Sequence, residues 1–159
     1  MTNRFAKTAI ILGTLVLGAT GAQAASTTAT AKAKILQQVA VTNTSDLDFG
    51  TIVTGTAAST VAIGSTGTRT CGAGLTCSGS TAAAGFSVLG TIGQTVTIST
   101  TNATLASGTN NMSTALTPSQ ATMVLAATNA FTVGGTLNVG ANQADGNYAG
   151  TFSVTVNYQ

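Results

Sequence analysis

The chain has 159 residues; Lys and Arg supply five, Asp and Glu three, and His none. With charged residues at 5% and no Glu or His, most general acid–base and metal-site chemistry is excluded for want of side chains to perform it. Five basic residues leave no footprint for neutralising nucleic-acid phosphates. Nineteen Gly, abundant Thr and Val and few helix formers predict strands joined by turns, within one domain.

The first segment reads as an address. Arg4 and Lys7 precede an apolar run over residues 9–18, which ends at the small-x-small site Ala22-Gln23-Ala24. This is the layout of a secretory signal peptide over residues 1–24, cut between Ala24 and Ala25. The run is far shorter than the roughly 20 apolar residues of a spanning helix, so no membrane span is expected in the mature form. No Cys stands at the cut to carry a lipid. After Ala24 the charges are Lys32, Lys34 and Arg69 against Asp46, Asp48 and Asp145, which cancel. So bare a surface opposes self-association little and suits a subunit that stacks on its own kind.

Residues 25–35 carry no turn former. Ala25, Thr27, Ala29, Ala31, Ala33 and Ile35 alternate with Ser26, Thr28, Thr30, Lys32 and Lys34. That pattern predicts an extended strand with a small apolar stripe and a wet face. The expected organisation is an N-terminal arm over 25–36 and a domain over 37–159. Gln37-Gln38 interrupt the alternation before Val39 and Val41 resume it.

Short alternating strands follow: Leu47, Phe49, Thr51 and Val53, then Val61 and Ile63. Cys71 and Cys77 enclose a Gly-rich ring. In an oxidising compartment they are expected to pair, as a staple on a hairpin tip contributing about 2.4 kcal/mol. A redox pair would have two intervening residues, not five. Phe86, Val88, Gly90 and Ile92 mark the next strand, and Val96 and Ile98 another. Residues 99–120 are polar and weakly patterned and read as a loop with at most one edge strand. Residues 122–126 (Thr-Met-Val-Leu-Ala) read as a central, doubly buried strand.

Near the end, Phe131, Val133, Leu137 and Val139 alternate with Thr132, Thr136 and Asn138. Asp145-Gly146 is a strong turn signal. From there Gly146, Tyr148, Gly150, Phe152, Val154, Val156 and Tyr158 occupy one face, and Asn147, Ala149, Thr151, Ser153, Thr155, Asn157 and Gln159 the other. Residues 131–158 are thus predicted to form a hairpin of two long strands. The whole suggests an all-β, antiparallel sandwich or barrel. Scattered Thr-x-Thr repeats keep no fixed period, and three Asn-x-Ser/Thr matches are what this composition gives by chance.

The longest, most apolar strand ends the sequence, and a detachable-looking strand begins the mature chain. An open edge beside an apolar groove is an association site. The arm of one molecule can fill the groove of the next by β-augmentation. Arm and groove are different surfaces, so the contact does not close and a fibre results. Two other readings stand beside this one: the arm as the first strand of its own sheet, or as a disordered tail.

The C-terminal strand resembles that of chaperone–usher pilins, the surface-fibre subunits of Gram-negative bacteria: Tyr158 is penultimate, and Gly146 is the fourteenth residue back from Gln159. Residues 47–52 (Leu-Asp-Phe-Gly-Thr-Ile), 133–139 (Val-Gly-Gly-Thr-Leu-Asn-Val) and 146–158 are similar to an uncharacterised secreted bacterial domain family, itself akin to the spore coat U and archaic pilin group. The resemblance implies an incomplete immunoglobulin-like sandwich lacking its last strand. It implies a periplasmic chaperone that lends a strand until an outer-membrane usher swaps in the next subunit's arm. The chaperone and the donor strand would both lie along a groove lined by Gly146, Tyr148, Phe152, Val154, Val156 and Tyr158. The product would be a homopolymer on the cell surface.

One departure from the pilin pattern stands out. Pilin arms carry bulky alternating residues; here Thr27, Ala29, Ala31 and Ala33 precede a single Ile35. At about 25 cal/mol per Å² of apolar area, Ala plugs stabilise far less than Leu or Val plugs. The leading expectation is a structural fibre subunit with no catalysis, cofactor or small-molecule substrate. The alternatives are a monomeric surface or coat protein with an adhesive role, and a small outer-membrane barrel. The barrel would need aromatic girdles that the few Phe and Tyr residues do not provide. Asp46, Asp48 and Asp145 are turn-type residues without a basic or nucleophilic neighbour in sequence, which leaves an enzyme the least supported class.

Overall fold

A computed structural model describes residues 23–159. The expected leader therefore lies outside the described residues up to Ala22. The described residues divide between two units, with 23–34 in the first and 35–159 in the second. In the first, residues 23–34 are exposed and belong to no strand. The strand expected over residues 25–35 is not formed: Ala and Thr offer too little apolar area to hold an extended segment without a ladder partner.

In the second unit the period-two alternation of the sequence becomes alternate burial over residues 95–99, 111–117 and 154–158. The strands, in chain order, are β1 (Ala40–Ser45), β2 (Thr51–Val53), β3 (Ser59–Ile63), β4 (Arg69–Cys71), β5 (Thr76–Ser78), β6 (Ala84–Leu89), β7 (Thr95–Thr100), β8 (Ala103–Ser107), β9 (Asn110–Pro118), β10 (Thr122–Val124), β11 (Ala130–Val139) and β12 (Val154–Tyr158). No helix occurs among the described residues, and every strand pair is antiparallel.

The ten-residue β11 organises the fold. Val133 pairs both Ala84 of β6 and Pro118 of β9, and Gly135 pairs both Ile63 of β3 and Leu116 of β9. One flank of β11 thus carries β9, and the other carries β6 and then β3. β1 extends this sheet beyond β6, β4 beyond β3, and β8 beyond β9, and the sheet curls into a half-barrel. A second sheet has the order β10-β7-β12, and β2 and β5 form a ribbon. Gly134 and Gly135 stand where β11 passes from one neighbour to the next. A Cβ on Gly134 would run into the Ile63 carbonyl oxygen, and one on Gly135 into the Leu116 side chain. Only Gly admits so close an approach of three strands.

The odd residues of β11 share one face, and that face spans two cores. Phe131 and Val133 join Phe86, Val88, Val96, Ile98 and Leu125 in the first. Leu137 and Val139 join Phe49, Val61, Ile63 and Met112 in the second. Phe86 and Phe131 are cross-strand partners with stacked rings 5.3 Å apart.

Four expectations are corrected. Residues 131–158 are not a hairpin: β11 lies in the large sheet and β12 pairs β7 in the small one. The segment between them leaves β11 through residues 140–146 and forms an isolated bridge to β8 between Ala149 and Ala106. Gly150 sits against the Thr104 carbonyl, where no side chain fits. Residues 99–120 are not a loop. They hold the β8–β9 hairpin, whose nine-residue strand buries Met112, Thr114 and Leu116 at alternate positions. Residues 122–126 are not a central strand. β10 is an edge strand with Val124 63% exposed, and the buried residue, Leu125, follows it. Finally, Cys71 and Cys77 are bonded, but not across a hairpin tip. β4 pairs β3 and β5 pairs β2, so the disulfide ties the ribbon to the large sheet.

Candidate functional site: a slot between two chain segments

Residues 37–55 and 142–158 face each other, and their hydrogen bonds to one another sit at the two ends. At one end the Tyr158 hydroxyl donates to the Gln37 carbonyl at 2.7 Å and accepts the Thr91 N–H at 2.7 Å. The Gln37 N–H in turn donates to Thr91 Oγ1. A Cβ on Gly90 would collide with that phenol, so Gly makes room for the clasp. At the other end the Asn142 N–H donates to the Gly55 carbonyl at 2.9 Å, and Thr54 Oγ1 donates to the Gln143 carbonyl at 3.5 Å. Between these ends, among the described residues, no ladder joins the segments: β1 pairs only β6, β2 only β5 and β12 only β7.

The wall formed by residues 142–158 is built by alternation. Val154, Val156 and Tyr158 pair Thr100, Ile98 and Val96 of β7. Together with Phe152 they are half-buried against the first core, while Ser153, Thr155 and Asn157 are exposed. The Phe152 ring meets Phe86 edge-on at 6.1 Å. The Gln159 N–H donates to the Thr95 carbonyl and the Ser153 carbonyl accepts from the Thr101 N–H, so the odd residues direct their main chain to β7. In an antiparallel ladder the direction alternates, so the even residues turn theirs toward the slot. Main-chain groups left unpaired along an apolar wall are a template for another strand.

The opposite wall is positioned by a local turn and two long-range ties. Asp48 Oδ1 accepts the Gly50 N–H at 2.7 Å, in a turn that gives Gly50 a φ of 73°. Asp48 also exchanges both main-chain hydrogen bonds with Ala82. Arg69 Nη1 donates to the carbonyls of Phe49 and Ser78, which holds this wall to β5. Where the walls meet the second core the slot deepens into a cavity of about 560 Å³, flanked by residues 47–54 and 143–148 and floored by Leu105, Met112, Leu137 and Val139. On its far side Tyr148 is held by its hydroxyl, which donates to the Ala144 carbonyl and accepts from Gln143 Nε2.

Residues 39–158 match the family described as a domain of unknown function, DUF4402. The chain belongs to the DUF4402 family. No curated protein and no solved structure matches it. The DUF4402 match takes in nearly all of both slot walls and stops short of the arm.

The groove residues named from sequence divide between the two parts of the slot. Phe152, Val154, Val156 and Tyr158 edge the part along the first core, and Gly146 and Tyr148 line the cavity. Of the arm residues, Ala24, Ala25, Thr27, Ala29, Ala31 and Ala33 are exposed outside any strand, and Ile35 is 92% exposed. Sequence reading missed the cavity floor and the clasp. Met112 alternates with Thr114 and Leu116, a signal hidden by the polar residues between them. Gln37 and Thr91 carry no pattern at all, because their role comes from one hydroxyl 67 residues further along the chain from Thr91.

Proposed function

We propose that this chain is a structural subunit of a bacterial surface fibre, an incomplete immunoglobulin-like sandwich that polymerises by taking an extended segment of another copy into its slot. The observation that carries the reading is the slot itself: two walls whose hydrogen bonds to each other, among the described residues, lie at their ends, one of them a half-buried strand whose main chain is paired on a single side. A strand laid there gains a full antiparallel ladder and covers the apolar wall and the cavity floor. The arm over residues 25–35 supplies such a strand, with a small apolar stripe to face the wall and Lys32 and Lys34 to face water. Arm and slot are different surfaces, so each contact leaves one of each unfilled and the chain of subunits stays open.

On this reading the protein is exported through the periplasm of a Gram-negative bacterium. A periplasmic chaperone occupies the slot along residues 146–158 until an outer-membrane usher exchanges it for the next arm. Deleting residues 25–34 tests the core of it. The truncated chain is expected to be exported and to retain its slot, yet to form no filaments by negative-stain imaging of sheared surface material. Filaments from the truncated chain would overturn the reading.

A further inference from the structure

The slot is uneven, and so is the arm. Along the first core the wall residues Phe152 and Tyr158 are large and half-buried. Beside Tyr148 the slot opens into the cavity of about 560 Å³. The arm has small residues throughout its inward stripe except at one end, where Ile35 stands 92% exposed. Residues 25–35 and residues 148–158 are also the same length, roughly 35 Å at about 3.3 Å per residue. Resting on the donor-strand reading above, we propose that the arm of a second copy lies antiparallel to β12 with Ile35 seated in the cavity beside Tyr148.

This register sets Ala33 opposite Gly150, Ala31 opposite Phe152, Ala29 opposite Val154, Thr27 opposite Val156 and Ala25 opposite Tyr158. Directly opposed residues of an antiparallel pair share a face, so every inward arm residue meets an inward wall residue. Small side chains thus fall where the wall is bulky, and the arm's one large side chain falls where the wall is deep. A slip of one residue would turn the Lys side chains inward. The parallel orientation would bring Ile35 to Tyr158, where the clasp with Gln37 and Thr91 already fills the space, and leave the cavity to Ala25.

The exposed apolar residues agree with the direction. Leu89 and Ile92 are 57% and 65% exposed beside the root of the arm, since Leu89 pairs Ala40 and Thr91 bonds Gln37. Val53, 59% exposed, stands on the cavity wall at the opposite end of the slot. Seating Ile35 in a neighbour's cavity brings the arm-root end of one copy against the Val53 end of the next.

Cysteine pairing in the full-length protein tests the register. Subunits carrying Ala29→Cys and Val154→Cys, co-expressed and exported, are expected to form a reducible intermolecular dimer as the dominant adduct. A dominant adduct of Val154→Cys with Thr27→Cys or Ala31→Cys instead would overturn the register and leave the donor-strand reading standing. No adduct between any arm and wall position would overturn that reading itself. Ile35→Asp, at a site too exposed to contribute to the fold, is expected to reduce polymer yield roughly tenfold or more, with Ile35→Leu close to the parent. Unchanged assembly of Ile35→Asp would remove Ile35 from the cavity.

Discussion

At the scale of single residues, Tyr158 carries two duties. Its ring belongs to the apolar wall and its hydroxyl closes the slot against Gln37 and Thr91. Tyr158→Phe keeps the ring and strands the Thr91 N–H and the Gln37 carbonyl. We expect a loss of about 1 kcal/mol in urea denaturation, limited by water reaching the half-exposed groups. A loss indistinguishable from zero would mean that the clasp contributes no net stability. That Tyr158 would face the core was legible from the alternation over residues 146–158. The partners of its hydroxyl were not, because a hydrogen bond between residues 121 apart leaves no periodicity in the sequence.

Among the elements, the β2–β5 ribbon behaves as an appendage of the large sheet. Its ladder is three residue pairs long, too short to stand alone, and the Cys71–Cys77 disulfide and Arg69 tie it down. Because β2 continues the cavity wall, the disulfide also holds that wall in place. Replacing both cysteines by Ser is expected to cost about 2.4 kcal/mol or less and to open the ribbon to protease between residues 51 and 78. A cleavage pattern unchanged from the parent would show that Arg69 and the ladder suffice. Pairing of the cysteines followed from their spacing and setting, whereas the elements they join did not. A seven-residue ring reads as a hairpin until each strand is seen to pair elsewhere.

At the scale of the whole molecule, cohesion comes from apolar burial and main-chain ladders, with few charges to modulate it. Within residues 35–159 the only cation is Arg69, against Asp46, Asp48 and Asp145. Raising the salt from about 50 mM to about 500 mM shortens the Debye length from roughly 14 Å to roughly 4 Å. On the proposed donor-strand reading, filament yield, read by sedimentation, is nevertheless expected to change less than about twofold. A steep dependence would point to charge pairing between subunits, since the arm carries Lys32 and Lys34.

Composition and period-two alternation by themselves determined an all-β chain. They also set which side of β11 and of β12 faces the core, because a strand's side chains alternate whatever it pairs with. Tertiary structure alone decided the partners. Residues 131–158 have the pattern of a hairpin, but β12 packs over Phe86, Val96 and Ile98 instead, and the glycines at 146 and 150 let the chain cross to them. The slot is likewise a product of packing: each of its walls reads as an ordinary strand, and only the tertiary structure sets them facing each other without a ladder between them.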